Sequence, residues 1–324
     1  MASTERHTVA PPVPADEVTA VGLHDRWVAW ATRSGSVLLT DIRAGRVLRA
    51  VEEAADHLSW SPSGGHLLLR RSGRCTVVDV TSARVVTDLE ARTACLISDD
   101  DGDVLVTALD GLLQGLRLPD LAVAFEIDMR RCHYSVTRLH QVPAAPGGAL
   151  AVVGHPWSEL LDWLLLFPAP VLRDRLTPFT TDRDCYTSRF VVDRGAPVLV
   201  GPGDPGEVVV YRDHDGAEDP EDADDADAFA DVWGFQGFSV RRSSDGRLLE
   251  RLAYRPRSPL SSGAEVFATS AAVALVDAGT LHVLSRASGE LLTSETARLL
   301  TADPARGHVL AVGTDGRVAL LDLR

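Results

Sequence analysis

The chain contains neither lysine nor asparagine, so all 32 of its Lys/Arg positions are arginine. Without lysine, Schiff-base chemistry, a lysine general base and the lysine of a phosphate-binding loop are all excluded. Without asparagine, the Asn-Gly hairpin is missing, and Ser-Gly and Asp-Gly pairs must form the tight turns between strands. We interpret both absences as the mark of a bacterial genome of high G+C content.

Cysteine and long apolar runs are also scarce. The four cysteines lie at long, irregular spacings without a CxxC or Cys/His cluster, which argues against a structural zinc site. The longest apolar stretch, Leu160 to Phe167, is interrupted by Asp162 and is far shorter than the ~20 residues that cross a bilayer. The N-terminus lacks the apolar region of a signal peptide. These features predict a cytoplasmic protein with reduced thiols, no membrane association, no metal and no cofactor.

Catalytic motifs are missing as well: the sequence has no glycine-rich phosphate loop, HExxH or GxSxG. A nucleophilic pair can be drawn from Cys132 with His133 or His140, but turn and packing roles are the favoured interpretation. We therefore expect no catalytic residue. The net charge of -14 repels phosphate, and the arginines form no basic stripe, so nucleic acid is not an expected partner.

The chain does contain an internal period. Gly35, Gly73 and Gly111 are each 38 residues apart, and Gly279 and Gly316 are 37 residues apart. Each of these glycines lies in a short turn before an apolar run. A repeat of about 40 residues is typical of the four-stranded blade of a β-propeller. The sequence therefore predicts an all-β chain that forms a single domain over residues 1–324.

The second repeat carries a resemblance to a known family. The run from Leu58 to Leu67, LSWSPSGGHL, resembles the first hairpin of a WD40 blade, and Val78-Asp79 stands where that family has Trp-Asp. Thr40-Asp41 and Leu321-Asp322 keep the Asp of this pair without the Trp. The resemblance implies a divergent, WD40-like β-propeller of four-stranded blades.

Division of the chain at this period predicts seven blades. The first three end at Ile127, the fourth spans Tyr134 to about Leu176, the fifth Thr187 to Tyr254, and the last two Ala264 to Arg324. The seventh unit supplies only three strands. A fourth strand at Glu5 to Ala10 is therefore expected to close the ring from the N-terminus.

The fifth unit is too long for one blade. Both Gly206 to Tyr211 and Phe238 to Arg241 resemble its third strand, and Arg247 to Ala253 resembles its fourth. Between these strands lies an acidic insertion, residues 213–232, whose ten carboxylates take the formal net charge from -4 to -14. This composition predicts a disordered segment.

Three interpretations of the acidic insertion remain open. It can be a solvated, self-repelling loop, or it can be a docking arm that steers a partner with a basic surface. A calcium loop formed by Asp213, Asp215 and Glu218 is the weakest of the three, because Tyr211 occupies the first ligand position and offers no suitable side chain. We therefore expect no metal site.

Aromatic residues make up only 6% of the chain, and several fall in the irregular fourth and fifth units. Exposed tryptophan or phenylalanine there would anchor an interface. Our first hypothesis is a non-enzymatic scaffold that recruits a protein partner through these units. The residues assigned to this surface are Trp157, Trp163, Asp219, Glu221, Asp222, Asp224, Asp225, Trp233 and Phe235. The alternative is an enzyme or small-molecule binder using the central channel, which convergent His, Asp and Glu side chains at the channel mouth would favour.

Overall fold

In a computed structural model, the chain forms seven four-stranded antiparallel sheets. The structure describes all residues except 1–4, 43–45, 100, 133, 143–148, 157–162, 169–190, 195–197, 205, 213–236, 243–246, 255–263, 278, 304–305 and 324. Within this described part, two short 3-10 helices occur, at Ala15–Glu17 and Met129–Cys132. No helix there is long and apolar enough to cross a bilayer.

Six of the sheets are each built from four strands that follow one another in the chain. Strands are numbered from β1 (Glu5–Thr8), which belongs to the last sheet. The first sheet contains β2 (Val18–His24), β3 (Trp27–Thr32), β4 (Val37–Asp41) and β5 (Arg46–Val51). The second contains β6 (His57–Trp60), β7 (His66–Arg71), β8 (Arg74–Asp79) and β9 (Arg84–Glu90). The third contains β10 (Thr93–Asp99), β11 (Gly102–Leu109), β12 (Leu112–Arg117) and β13 (Ala122–Asp128).

The next three sheets follow the same order. The fourth contains β14 (Tyr134–Val142), β15 (Ala149–Pro156), β16 (Trp163–Pro168) and β17 (Val191–Arg194). The fifth contains β18 (Val198–Pro202), β19 (Glu207–Arg212), β20 (Gly237–Arg242) and β21 (Leu248–Ala253). The sixth contains β22 (Glu265–Ala268), β23 (Ala272–Asp277), β24 (Thr280–Ser285) and β25 (Leu291–Thr296).

Two predicted strand assignments change. Val191–Arg194 pairs with β16 and completes the fourth sheet, although the sequence analysis placed it in the fifth unit. The fifth sheet begins instead at Val198, which makes Glu207–Arg212 its second strand and Gly237–Arg242 its third. The error arose because a long segment, residues 169–190, separates β16 from its partner. The acidic insertion therefore falls between the second and third strands of the fifth sheet.

The seventh sheet is composite. It joins β26 (Leu299–Asp303), β27 (His308–Val312) and β28 (Val318–Asp322) to the N-terminal strand β1. Strand β1 pairs with β28 from Glu5 opposite Asp322 to Thr8 opposite Ala319. This pairing places β1 at the outer edge of the sheet, three positions away from the inner strand β26.

The expectation of a seven-bladed propeller whose ring is closed by an N-terminal strand is corrected by this arrangement. Six blades are continuous in the chain and alike, whereas the last sheet is assembled from both termini. The inner strands β2 and β26 contact each other at the junction between the first and last sheets. Arg298 supports this junction, because its Nη1 donates to the carbonyl oxygen of Val18 at 2.8 Å and its Nη2 donates to that of Ala15.

Position within a sheet decides how far a strand is buried. Middle strands such as β11 (Gly102–Leu109) are apolar and buried along most of their length, because neighbouring sheets cover both of their faces. Outer strands such as β9 (Arg84–Glu90) alternate between partly buried and exposed residues. The core accordingly consists of apolar layers between successive sheets, one of which joins Tyr211 and Phe238 of the fifth sheet to Leu284 of the sixth.

A β-bulge recurs at one position in all six continuous blades. The outer strand carries one extra residue relative to its neighbour, as its third residue in the first three sheets and as its second residue in the next three. The extra residues are Leu48, Val86, Ala124, Val192, Leu249 and Leu292. The first three lie 38 residues apart, so the bulge follows the period of the glycine turns. The β1–β28 pairing has no such shift.

Candidate functional site

The inner strands β2, β6, β10, β14, β18, β22 and β26 all begin at one face of the ring, which we call the upper face. A cavity of about 380 Å³ opens there, where the first residues of four inner strands converge. Its polar lining consists of Thr19, Asp56, His57, Glu265, Arg298 and Thr301. Because these residues come from the first, second, sixth and seventh sheets, the cavity occupies the mouth of the central channel.

A histidine and a glutamate meet across this channel. His57 begins β6 of the second sheet and Glu265 begins β22 of the sixth, and His57 Nε2 lies 3.9 Å from Glu265 Oε1. Both side chains remain accessible within the cavity, at 41% and 58% exposure. Burial among the surrounding strands raises the pKa of the Glu265 carboxyl, and the positive charge of Arg70 opposes that shift. The channel mouth thus holds an accessible carboxylate beside an imidazole.

Sequence reasoning named neither side chain as a site residue. His57 precedes the apolar Leu58, Glu265 precedes Val266, and Arg298 precedes Leu299. Each is the polar residue in front of an apolar inner strand, and this pattern was the available signal. Their convergence depends on ring geometry, because more than 200 residues separate His57 from Glu265.

A second, more open groove of about 750 Å³ lies on the upper face along the second sheet. Arg71, Arg74 and Arg92 line it together with Glu53 and Glu90. Arg74 is already occupied, because its Nε donates to Asp88 Oδ1 at 2.6 Å. With Arg74 paired, two arginines and two glutamates remain. The charges of this groove therefore favour neither an anionic nor a cationic ligand.

Of the predicted partner residues, the structure describes Trp163 only as the first residue of β16, opposite Gly154 of β15. The others lie outside the described residues: Trp157, Asp219, Glu221, Asp222, Asp224, Asp225, Trp233 and Phe235. The same holds for the weak calcium candidates Asp213, Asp215 and Glu218. Among the described residues, no group of three or more His, Cys, Asp and Glu side chains is placed to bind a metal ion.

The strands that flank these segments show where they leave the ring. The acidic insertion follows Arg212, which pairs with Val198 at the start of inner strand β18, and it rejoins the sheet at Gly237, opposite Arg212. Trp157 follows Pro156, which pairs with the first residue of inner strand β14, Tyr134. Both segments therefore depart from the upper face, where the channel cavity also opens.

A ladder of rings lies beneath the ends of the acidic insertion. Tyr211 and Phe238, one residue inside each end, have ring centroids 4.9 Å apart and are fully buried. Phe238 stacks on Tyr254 at 5.8 Å, and Tyr254 lies 6.1 Å from His282 of the sixth sheet. Burial lowers the pKa of His282. The ladder joins the base of the insertion rigidly to the neighbouring blade.

The opposite, lower face is held by charged and polar contacts between blades. Asp103 of β11 accepts hydrogen bonds from Ser63 at 2.7 Å and from Ser98, and its Oδ2 lies 2.7 Å from His66 Nδ1. Arg286 of the sixth sheet donates to Glu207 at 2.8 Å and to Glu250 at 2.5 Å, both in the fifth. These side chains form hydrogen bonds and ion pairs with one another, so we assign this face a structural role.

The acidic run that ends at Asp103 contributes to the same contacts between blades. Its last carboxylate is committed to Ser63, His66 and Ser98. Burial alone would raise the pKa of Asp103, but hydrogen bonds from His66 and the nearby serines outweigh it and hold the pKa at about 2. This carboxylate therefore joins the second blade to the third and is not available to a ligand.

Comparisons with known proteins support the fold. No protein-family model matches the chain, and no curated protein matches it by sequence. Among solved structures, the chain is similar to the Cps50 (Swd1) beta-propeller domain of Myceliophteria thermophila, with a TM-score of 0.60, 15% identity and coverage of 99% of this chain and 100% of that one. It is also similar to the Kuenenia stuttgartiensis hydrazine synthase, with a TM-score of 0.60, 10% identity and 96% coverage of both chains. At these identities the similarity establishes a β-propeller fold but not a function.

Proposed function

We propose that this chain is a non-enzymatic interaction module, a divergent WD40-like propeller, that recruits a protein with a basic surface through its fourth and fifth blades. The observation that carries the proposal is the position of the acidic insertion. Arg212 before it and Gly237 after it pair with each other at the upper face, where Pro156, the residue before Trp157, also lies.

The charge of the insertion suits the capture of a basic partner. Ten carboxylates within about twenty residues produce a field that raises the rate of encounter with a positive surface. Tyr211 and Phe238, which flank the insertion in the chain, pack against each other on the ring. Trp157, Trp163, Trp233 and Phe235 are then the residues that would hold the partner after encounter, because aromatic anchors dominate interface energies.

The reducing environment of the cytoplasm suits this module. Cys75 and Cys95 are buried and form no disulfide. The alternative function, binding or catalysis in the central channel, is favoured by a separate observation, the His57–Glu265 cavity. The two functions occupy the same face without excluding each other.

The proposal is tested by matched charge variants. Partners are captured from the native host, and the association of a purified partner is followed by stopped-flow fluorescence at several salt concentrations. Neutralising Asp222, Asp224 and Asp225 should slow association and flatten its salt dependence with little change in dissociation, because exposed charges act on the on-rate. Neutralising Glu221 and Asp219 as well should slow association further.

The control neutralises three exposed carboxylates of the lower face, Asp101, Asp120 and Glu290, and should leave association close to wild type. Substitution Trp157→Ala should instead speed dissociation, costing about 2 kcal/mol if the residue is an anchor. Equal slowing by both charge variants would show a general charge effect and not a docking arm. Cross-links confined to the first, second, sixth and last sheets would also reject the proposal.

A further inference from the structure

Two charges of opposite sign line the channel cavity without neutralising each other. Within the described residues, Glu265 accepts no hydrogen bond, and its nearest basic nitrogen, His57 Nε2, is 3.9 Å away and beyond hydrogen-bond distance. Arg298 is held by the carbonyl oxygens of Val18 and Ala15, and no described carboxylate pairs with it. The cavity therefore presents one unsatisfied anion and one unneutralised cation.

Such a pair selects a ligand that carries both charges. A simple cation would satisfy Glu265 but leave the guanidinium uncompensated, and a simple anion would do the reverse. Glu265 and Arg298 line one cavity, so a ligand with two opposite charges can pair with each of them. A zwitterion satisfies both groups at once.

We propose that the channel cavity binds a small zwitterion of the amino-acid type, with its ammonium group at Glu265 and its carboxylate at Arg298. This site goes beyond the proposed recruitment of a protein partner and does not depend on the acidic insertion. Arg298 suits carboxylate recognition because its two backbone acceptors fix the guanidinium plane and leave further N–H groups to donate.

The size and lining of the cavity agree with a small ligand. Its volume of about 380 Å³ lies near the lower end of the range for small-molecule sites, roughly 300–1,000 Å³. Ala20, Leu58, Val276 and Leu299 supply apolar walls that suit methylene groups between the two charges. The hydroxyl of Thr19 donates to the carbonyl oxygen of Ala55 at 3.1 Å, so its own oxygen stays available as an acceptor.

His57 is the positioning residue of this site. It faces Glu265 from the opposite side of the channel, so a ligand held at Glu265 also lies beside the imidazole. It does not replace the ammonium group, because a separation of 3.9 Å is too long for a hydrogen bond. A ligand ammonium can therefore approach the carboxylate more closely than the imidazole does.

Titration calorimetry on the full chain tests the site. The zwitterions are glycine, β-alanine, γ-aminobutyrate, ε-aminocaproate and the standard α-amino acids, in phosphate buffer to avoid zwitterionic buffers. The single-charge controls are n-butylamine and butyrate, which match γ-aminobutyrate in length. At least one zwitterion should bind about tenfold more tightly than either single-charge control. The length that binds best then reports the separation of the two charges.

Variants separate the proposed contact from a general charge effect. Glu265→Gln should weaken the binding of the best zwitterion by about tenfold and leave the binding of butyrate unchanged. Glu290→Gln, at an exposed position of the lower face, should change neither. The proposal is overturned if no zwitterion binds at concentrations up to about 10 mM. It is equally overturned if n-butylamine binds as tightly as the zwitterions, or if Glu265→Gln has no effect. None of these outcomes bears on the acidic insertion, so failure here leaves the recruitment proposal to its own test.

Discussion

Replacing Asp103 with asparagine removes the charge that joins the second blade to the third. The side chain is only 2% exposed, and its carboxylate accepts from Ser63 and Ser98 and lies 2.7 Å from His66 Nδ1. Its pKa is about 2 in the folded chain against an ordinary value of 3.8. A carboxyl with a lowered pKa stabilises the fold above its unfolded pKa, and that contribution disappears as the pH falls from about 4 toward 2.

The size of the effect follows from the pKa difference. At about 1.4 kcal/mol per pH unit, the difference corresponds to about 2 kcal/mol of folding free energy at pH 7. Solvent screens little of this, because the side chain is almost fully enclosed. The amide of asparagine also cannot accept from all three neighbours at once, which adds to the loss.

Urea unfolding followed by tryptophan fluorescence measures this loss. At pH 7, Asp103→Asn should unfold at lower urea, with a free energy of unfolding lower by about 2 kcal/mol. At pH 2 most of the difference should be lost, because the wild-type carboxyl is then about half protonated in the folded chain and almost fully protonated in the unfolded chain. The control Asp101→Asn lies nearby but is 76% exposed, and it should change stability by less than about 0.5 kcal/mol. A difference that stayed constant between pH 7 and pH 2 would refute the electrostatic reasoning.

Two further predictions concern the core between blades. Substitution Gly201→Ala should cost more than about 3 kcal/mol or prevent folding, because a Cβ there would overlap the carbonyl oxygen of Val266 in the next blade. A wild-type urea midpoint would contradict this packing. The variant Cys132→Ser/Cys185→Ser keeps only the buried thiols of Cys75 and Cys95, which should react with Ellman's reagent at pH 8 only after unfolding. Burial raises the pKa of Cys95 to about 12 and also raises that of Cys75, so neither forms the reactive thiolate in the folded chain. Rapid labelling of the native variant would show that these blades open.

Much of the fold was predictable because its signals are local. The glycine turns at Gly35, Gly73 and Gly111 adopt positive φ, which a tight hairpin needs, so one residue type marks each repeat. The fifth sheet was misassigned because its signal is not local. Strand Val191–Arg194 has only four residues and lies far along the chain from β16, so neither length nor spacing assigned it to the fourth blade.

The channel site was not predictable from local pattern. His57, Glu265 and Arg298 each look like an ordinary polar residue before an apolar strand, and their chemistry appears only when the ring brings distant blades together. The sequence analysis did state the condition that would favour the channel, namely convergent His, Asp and Glu side chains at its mouth. The structure places His57 and Glu265 there, with Asp56 in the same lining.

The recurring bulges explain how the ring protects its circumference. An outer strand offers unpaired backbone groups to other chains, and exposed aliphatic residues such as Val47, Val85 and Val123 increase that risk. A bulge beside each of these residues breaks the regular ladder and twists the strand, so another strand cannot continue the sheet in register. The composite sheet has no bulge, but its outer strand β1 is only four residues long and includes Glu5 and Arg6. On β1, short length and charge oppose edge pairing in place of a bulge. Each outer edge that the structure describes therefore carries a feature that opposes the addition of a further strand.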